Sequence, residues 1–135
     1  MKFPTYGGTT TTVSMADHNE LGTLGEQVAA HWLAERGYAI LETNYRRGHN
    51  EIDIIALHEG MIVVVEVKTR SANHLLPPER AVDHKKRAAI IRLANTYITE
   101  NGRTEEVRFD IITVVRDGHT QTVEHLPNAF NIATY

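Results

Sequence analysis

The chain has 135 residues, of which 41% are hydrophobic and 23% charged, and its formal net charge of -3 argues against general, nonspecific affinity for nucleic acid. It contains no cysteine, which excludes disulfides, thiolate zinc sites and cysteine nucleophiles and leaves oxygen atoms or histidine for any metal. No apolar stretch approaches the roughly 20 residues that cross a bilayer and the N-terminus has no apolar signal-peptide core, so we expect a cytoplasmic protein without a membrane partner.

The first half of the chain predicts a helix followed by three strands. Residues 1–19 are rich in threonine and glycine and lack apolar periodicity, which predicts a disordered segment before a domain over residues 20–135. Apolar residues at helical spacing predict a helix over Leu21–Arg36, which Gly37 ends. Short turns then join three strands, predicted at Tyr38–Tyr45, Glu51–Leu57 and Met61–Thr69.

The second half predicts a loop, a long helix and further strands. A polar loop with prolines over Ser71–Pro78 leads to a helix over about Glu79–Glu100, which Asn101-Gly102 closes. Tight turns make the first three strands an antiparallel meander, whereas the connection through the second helix lets the next strand join parallel to an inner one. This order, αβββαβ with a small extra strand, predicts an α/β fold with a mixed β-sheet. The last strands are predicted at Val107–Val115 and Thr120–His125.

The second and third strands carry a group of charged residues to one place. If a two-residue turn or a four-residue loop joins them, Asp53 faces Glu66 and Glu51 faces Lys68 on one face of the sheet. A three-residue loop would shift the register by one residue and separate them. Two carboxylates about 5 Å apart repel by roughly 3 kcal/mol, so something must offset that repulsion. A divalent cation would do so, as would a shared proton or an ion-pair ladder with Lys68 and an arginine.

Other charged residues have two interpretations each. Glu26, near the start of the first helix, could reach a metal or could simply favour the helix N-terminus. Lys86 fits the inward stripe of the second helix, where it would contact a phosphate or the acidic residues, or cover core surface with its stem. Lys85 points about 100° away from that stripe. Asp110, beside Arg108, is predicted to form a structural ion pair. The eight histidines show neither HxxxH nor HExxH spacing, which argues against zinc hydrolase chemistry.

Positive charge is concentrated in the middle of the chain. Nine of the fourteen Lys and Arg residues fall between Arg46 and Arg92, the interval that also contains the acidic residues. Runs of charge are most often only solvated faces, but here they could form a phosphate-binding surface. The basic residues that could line this surface are Arg46, Arg47, Arg70, Arg80, Lys85, Lys86, Arg87 and Arg92. Of these, the residues predicted to contact nucleic acid are Arg46, Arg47, Arg70, Lys86 and Arg87.

Asp53, followed after twelve residues by Glu66-Val67-Lys68, resembles the PD-(D/E)XK signature of restriction endonuclease-like folds. Ile52 replaces the proline of that signature, and Asn50 stands where the closer family described next usually has glycine. A wider ordered set of blocks, covering about Leu21 to Val115, resembles the uncharacterised YraN-like family. Its blocks are Gly25-Glu26, Gly37 to Leu41, Asn44 to Arg46, Glu51 to Ala56, Val65 to Arg70, Ala81-Val82 with Lys86, and Arg108 to Asp110.

The resemblance implies a restriction endonuclease-like core, similar to Holliday-junction resolvases, that hydrolyses phosphodiester bonds in DNA rather than RNA. Lys68 would assist the attacking water, and Glu51 would support the ligands or pair with Lys68. A resolvase-like activity would need two sites and hence a homodimer. The alternatives are a nuclease fold that binds nucleic acid or a protein without cutting, and an assembly factor. The implied ligands of Mg²⁺ or Mn²⁺ are Asp53, Glu66, the Val67 backbone carbonyl and Glu26.

Overall fold

A computed structural model describes residues 18–72 and 83–131, with side chains from residue 24 onward. Five strands form a single mixed sheet in the order β1-β2-β3-β4-β5. Only β3 and β4 pair in parallel, and the other neighbouring pairs are antiparallel. The predicted α/β class and element order are therefore confirmed. The elements are α1 His18–Glu35, β1 Ala39–Arg47, β2 Asn50–His58, β3 Met61–Ser71, α2 His84–Glu100, β4 Glu106–Asp117 and β5 Thr120–Phe130.

The turn between β2 and β3 fixes the register on which the candidate site depends. Its two residues, Glu59-Gly60, have φ of 50° and 77°, the positive values that a two-residue hairpin with matched twist requires. The ladder pairs Ile54 with Val65, so the next pair outward would be Asp53 with Glu66. The ladder ends before that pair, and the predicted acids therefore lie where β2 and β3 separate.

Each face of the sheet is covered by one helix. The cluster beneath α1 joins Ala29, Ala30 and Leu33 to Ile54, Val65, Ile112 and Val114. The cluster beneath α2 joins Ile90, Leu93, Ala94 and Tyr97 to Ile55, Val64, Phe109 and Ile111. Regular alternation along β2 would place Ile52 on the same face as Ile54, but Ile52 packs beneath α2 with its cross-strand neighbour Tyr45. On the N-terminal side of Ile54, β2 no longer pairs with β3. The strand can therefore twist more strongly there, and its side chains need not alternate regularly between the two faces.

Both helix starts differ from the predicted ones. α1 begins at His18, one turn before Leu21, while the rest of the predicted disordered segment, residues 1–17, lies outside the described residues. α2 begins at His84, since Asp83 is extended (φ -77°, ψ 172°) and its side chain caps the helix by accepting from the Lys86 N–H. Most of the predicted loop, Arg80 and Ala81-Val82 lie among residues 73–82, outside the described part.

The last strand is longer than predicted. β5 continues to Phe130 instead of ending at His125. Pro127 is tolerated because β5 is an edge strand, and the ladder shifts between Phe109 and Ile111. Asn128, at φ 52°, donates its N–H to the carboxylate of Asp110 at 2.9 Å instead of to the ladder. A side chain thus replaces the missing backbone partner. Among the described residues, no helix is long and apolar enough to span a membrane.

Candidate metal centre and its cleft

Asp53 occupies the point where β2 and β3 separate. Its Oδ2 accepts a hydrogen bond from the Val67 N–H at 2.8 Å. Because the β2–β3 ladder ends at Ile54 and Val65, this side-chain bond takes the place of a backbone hydrogen bond between the strands. The side chain is only 9% exposed. The carboxylate is therefore held in one orientation inside the protein.

Three carboxylates converge beside this bond. Glu26 from α1 and Glu51 and Asp53 from β2 each offer an oxygen, and these oxygens lie within 4.8 Å of one another. Asn44 links two of them: with its amide turned to donate, its nitrogen lies 2.7 Å from Glu26 Oε2 and 2.8 Å from Glu51 Oε1. Its positive φ of 53° is a conformation that asparagine tolerates well. An all-carboxylate group of this kind is a candidate site for a hard cation such as Mg²⁺.

Glu51 has a different partner from the predicted one. It accepts a hydrogen bond from Arg46 Nε at 2.5 Å, and these two residues are cross-strand neighbours on β1 and β2. Pairing with Lys68 would have required the β2–β3 ladder to continue past Ile54, which it does not. Glu51 is thus a member of the carboxylate group, and does not merely support the other acids.

Glu26 is placed by a close approach of α1 to β3. A Cβ added to the buried Gly25 would lie 2.4 Å from Thr69 Oγ1, so a side chain there would force the helix or the threonine to move. Because Glu26 is the next residue, this approach controls how near its carboxylate comes to Asp53.

Glu66 lies in a more positive environment than the three clustered acids. Its Oε1 is 2.6 Å from Lys86 Nζ and 3.7 Å from Lys68 Nζ, and its side chain is 5% exposed. The prediction that Lys86 faces inward to the acidic residues is confirmed. The two lysines neutralise Glu66 and leave the group around Asp53 with the excess negative charge.

This uneven charge distribution shifts the pKa values. Burial and the negative charge of Glu66 raise the pKa of Asp53 to about 8, so it holds a proton at neutral pH without a cation. Burial also raises the pKa of Glu26, and a hydrogen bond with Asp53 offsets only part of that rise. Burial and the ammonium of Lys86 lower the pKa of Lys68. Burial alone would lower the pKa of Lys86, but Glu66 outweighs it and raises that pKa.

Glu51, Asp53 and Glu66 form the floor of a cleft of about 550 Å³ between the β1–β2 turn and α2, and Glu26 lies behind them. Lys86, predicted to contact nucleic acid, lies in its wall. Lys85 lines it too, although its position on the helical wheel had suggested another direction. The first turn of α2 lies at the cleft, so neighbouring sides of the helix both face it. Arg92 also lines the cleft, as does Lys85, and both are among the basic residues expected to line a phosphate-binding surface. His49 lines it too, and sequence reasoning missed this residue.

Of the other predicted nucleic-acid residues, Arg47, Arg70 and Arg87 make contacts away from the cleft floor, whereas Arg46 contacts an acid of that floor. Arg47 Nη2 lies 2.6 Å from Glu100, Arg70 Nη2 lies 3.1 Å from Glu124, and the Arg87 guanidinium lies 5.4 Å from the centre of the Phe130 ring. Arg46 is bound to Glu51 but is 69% exposed. A role of these four in binding nucleic acid stays a prediction.

The sequence pattern of the Uncharacterised protein family UPF0102 matches residues 25–114. The chain belongs to this family. A UPF0102 protein of Bacteroides thetaiotaomicron is 45% identical over 116 residues, 86% of this chain and 96% of that protein. Another from Porphyromonas gingivalis is 45% identical over 118 residues, 86% of this chain and 87% of that protein. A third, from Flavobacterium psychrophilum, is 41% identical over 116 residues, 86% of this chain and 98% of that protein. The YraN-like resemblance is confirmed, and the UPF0102 match includes every residue of the carboxylate group.

Proposed function

We propose that the protein is a metal-dependent endonuclease that hydrolyses phosphodiester bonds in nucleic acid, with DNA preferred over RNA. The observation that carries this proposal is the convergence of Glu26, Glu51 and Asp53 within 4.8 Å, with Glu51 and Asp53 on the floor of a cleft that Lys85, Lys86 and Arg92 also line. Oxygen-only donors suit Mg²⁺ or Mn²⁺, and a basic wall suits a phosphate ester.

The energetics of the acids support the same proposal. A pKa of about 8 for Asp53 indicates that the protein alone stabilises the ionised group poorly. Evolution of a purely structural site would favour a partner such as arginine or an uncharged side chain. A divalent cation would instead offset the repulsion and allow all three carboxylates to ionise together.

Each residue then has a separate role. Asp53 and Glu26 would hold the cation with Glu51, while the predicted contributions of Glu66 and the Val67 carbonyl remain part of the proposal. When bound, the cation would polarise the phosphate and lower the pKa of a water. Lys68, whose Nζ is 3.7 Å from Glu66, would orient the water or the phosphate by donating hydrogen bonds. Lys86 fixes Glu66 and adds positive charge beside the phosphate.

The decisive experiment compares cleavage of labelled linear, flapped and four-way DNA and of RNA with Mg²⁺, Mn²⁺ or a chelator. We expect wild-type cleavage only with metal, and a loss of at least about 100-fold in Asp53→Asn, comparable with removal of an electrostatic transition-state contact. Asp117→Asn, in an exposed acid at the β4–β5 turn, is the matched control. Equal cleavage by wild type and Asp53→Asn would refute the proposal.

The panel also tests the two other proposals. Metal-independent binding with no cleavage of any substrate would favour a nucleic-acid-binding module. Paired cuts in a four-way junction would require two sites, so we then expect a homodimer in sedimentation experiments.

A further inference from the structure

We propose that the cleft admits one unpaired strand of nucleic acid and that Lys85 and Arg92 bind its phosphates while His49 stacks on a base. This inference rests on the proposed function for its scissile phosphate, but it concerns binding and is measured separately. It names residues outside the predicted catalytic set and defines the substrate as single-stranded, frayed or flapped.

Lys85 and Arg92 form a basic line that leads away from the acids. They lie at positions i and i+7 of α2 with Ala89 between them, so they share one side of the helix about 10 Å apart along its axis. Both side chains are exposed and line the cleft. Lys86, one residue from Lys85, is bound to Glu66 on the floor. Positive charge is therefore continuous from the acidic floor outward along α2.

The edge of the cleft at the N-terminus of α2 also contains an acid, Asp83. Its Oδ1 accepts from the Lys86 N–H at 2.8 Å, so it serves to cap α2 and hold the two lysines at the first turn. The basic line begins directly after this cap. Phosphates would thus be drawn along the helix toward Arg92, away from Asp83.

The opposite wall offers a surface for a base. The β1–β2 turn carries His49 and Asn50, both exposed, and Gly48 has the positive φ of 62° that allows the tight turn. The half-buried Ala89 provides apolar surface across from them, above the buried Ile90. Imidazole rings stack on bases, and a basic groove with stacking side chains is the usual arrangement for binding a single strand.

The volume of the cleft favours one strand over two. About 550 Å³ is the size of a pocket for a small organic molecule, enough for one or two nucleotides. A B-form duplex, whose major groove alone is about 12 Å wide, could not enter it. We therefore expect an unpaired strand to bring a phosphate to Asp53 and Glu51 more readily than a duplex does.

Binding is measured without cleavage, using fluorescence anisotropy of the Asp53→Asn protein in chelator with a labelled 12-nucleotide strand and its blunt duplex. We expect the single strand to bind at least about fivefold more tightly, because only it can reach the basic line. Adding Lys85→Gln and Arg92→Gln should weaken single-strand binding roughly tenfold and reduce the slope of log affinity against log salt by about 1.4, which corresponds to two phosphate contacts. His49→Ala should weaken binding several-fold with no change in that slope.

The matched control is Arg36→Gln with Arg116→Gln, which removes the same charge outside the cleft lining and should leave affinity nearly unchanged. Equal affinity for strand and duplex, or equal losses in the two double variants, would overturn the inference. Single-strand binding through Lys85 and Arg92 by a protein that never cleaves would refute the nuclease proposal and keep this one. Metal-dependent cleavage of flaps that is unaffected by Lys85→Gln and Arg92→Gln would support the nuclease proposal and refute this inference.

Discussion

Asp53 and Asp110 are both buried aspartates in this sheet, but their surroundings have opposite effects. Asp110 is bound by Arg108 Nε at 2.9 Å, by His125 Nε2 at 2.7 Å and by the Asn128 N–H at 2.9 Å. Burial alone would raise its pKa, but the hydrogen bonds from His125 and Arg108 outweigh burial and hold the pKa below its ordinary value. The predicted structural ion pair is confirmed.

Asp53 has a single backbone donor, Val67, and is surrounded by other acids. Its pKa is raised to about 8, first by burial and then by Glu66. Asp110 is therefore satisfied by the fold, whereas Asp53 needs a proton or a cation from solution. A buried acid that the protein leaves without a counter-ion is the better candidate for function.

The largest difference should appear in stability. Asp110→Asn should lower the free energy of unfolding by about 3 to 5 kcal/mol in urea, because Arg108 would lose its buried counter-charge. The control Asp117→Asn should change it by less than about 0.5 kcal/mol. An unaltered stability in Asp110→Asn would show that the contrast between the two aspartates is not energetic.

The pH dependence of stability should have opposite signs at the two sites. The folded protein holds the Asp53 proton up to about pH 8 while the unfolded chain loses it near the ordinary value of 3.8, so unfolding becomes easier as pH rises between these values. Asp53→Asn should abolish this trend and stabilise the metal-free protein at pH 8, because the asparagine has no proton to lose. The stabilisation by Asp110 should instead be lost as pH falls through its lowered pKa. Parallel pH profiles for wild type and Asp53→Asn, measured in chelator, would contradict this assignment.

Metal should bind at one of the two sites only. At tenfold excess over Kd, Mn²⁺ or Mg²⁺ should stabilise the protein by about 1.4 kcal/mol, seen as a higher melting temperature. Affinity should increase with pH up to about 8, because Asp53 must release its proton to bind.

The same titration separates two sets of ligands. Glu51→Gln should weaken metal binding more than Glu66→Gln, since Glu51 lies with Glu26 and Asp53 whereas Glu66 is paired with Lys86. The reverse order would favour the ligand set implied by the sequence resemblance.

The smallest effect should come from the approach of α1. Gly25→Ala should crowd Thr69 Oγ1 and cost about 1 kcal/mol or less, because better helix propensity offsets part of the overpacking. It should also weaken metal binding by displacing Glu26. Thr69→Ala removes the crowding atom, so the Gly25→Ala/Thr69→Ala double variant should recover the wild-type affinity. No recovery would mean that the close approach does not position Glu26.

Local patterns were sufficient for most of the fold. The Glu59-Gly60 turn set the β2–β3 register, and Gly37 closed α1 as expected. Boundaries failed where a single side chain replaced a backbone partner. Asp83 delayed the start of α2, and Asp110 supported the extension of β5 past Pro127. Asp83 acts on a residue only three positions away and Asp110 on one eighteen positions away, but neither hydrogen bond leaves a periodic signal in the sequence.

By itself, the sequence determined the family and the pairing of β2 with β3 as far as Ile54 and Val65, because alternation and turn geometry act between near neighbours. Only the tertiary structure decided which acids meet. The β2–β3 ladder ends before Asp53 and Glu66, Lys86 from α2 pairs with Glu66, and Glu26 from α1 joins Glu51 and Asp53. These contacts depend on how the two helices pack against the strand ends, and packing is a property of the whole domain that a single segment does not contain.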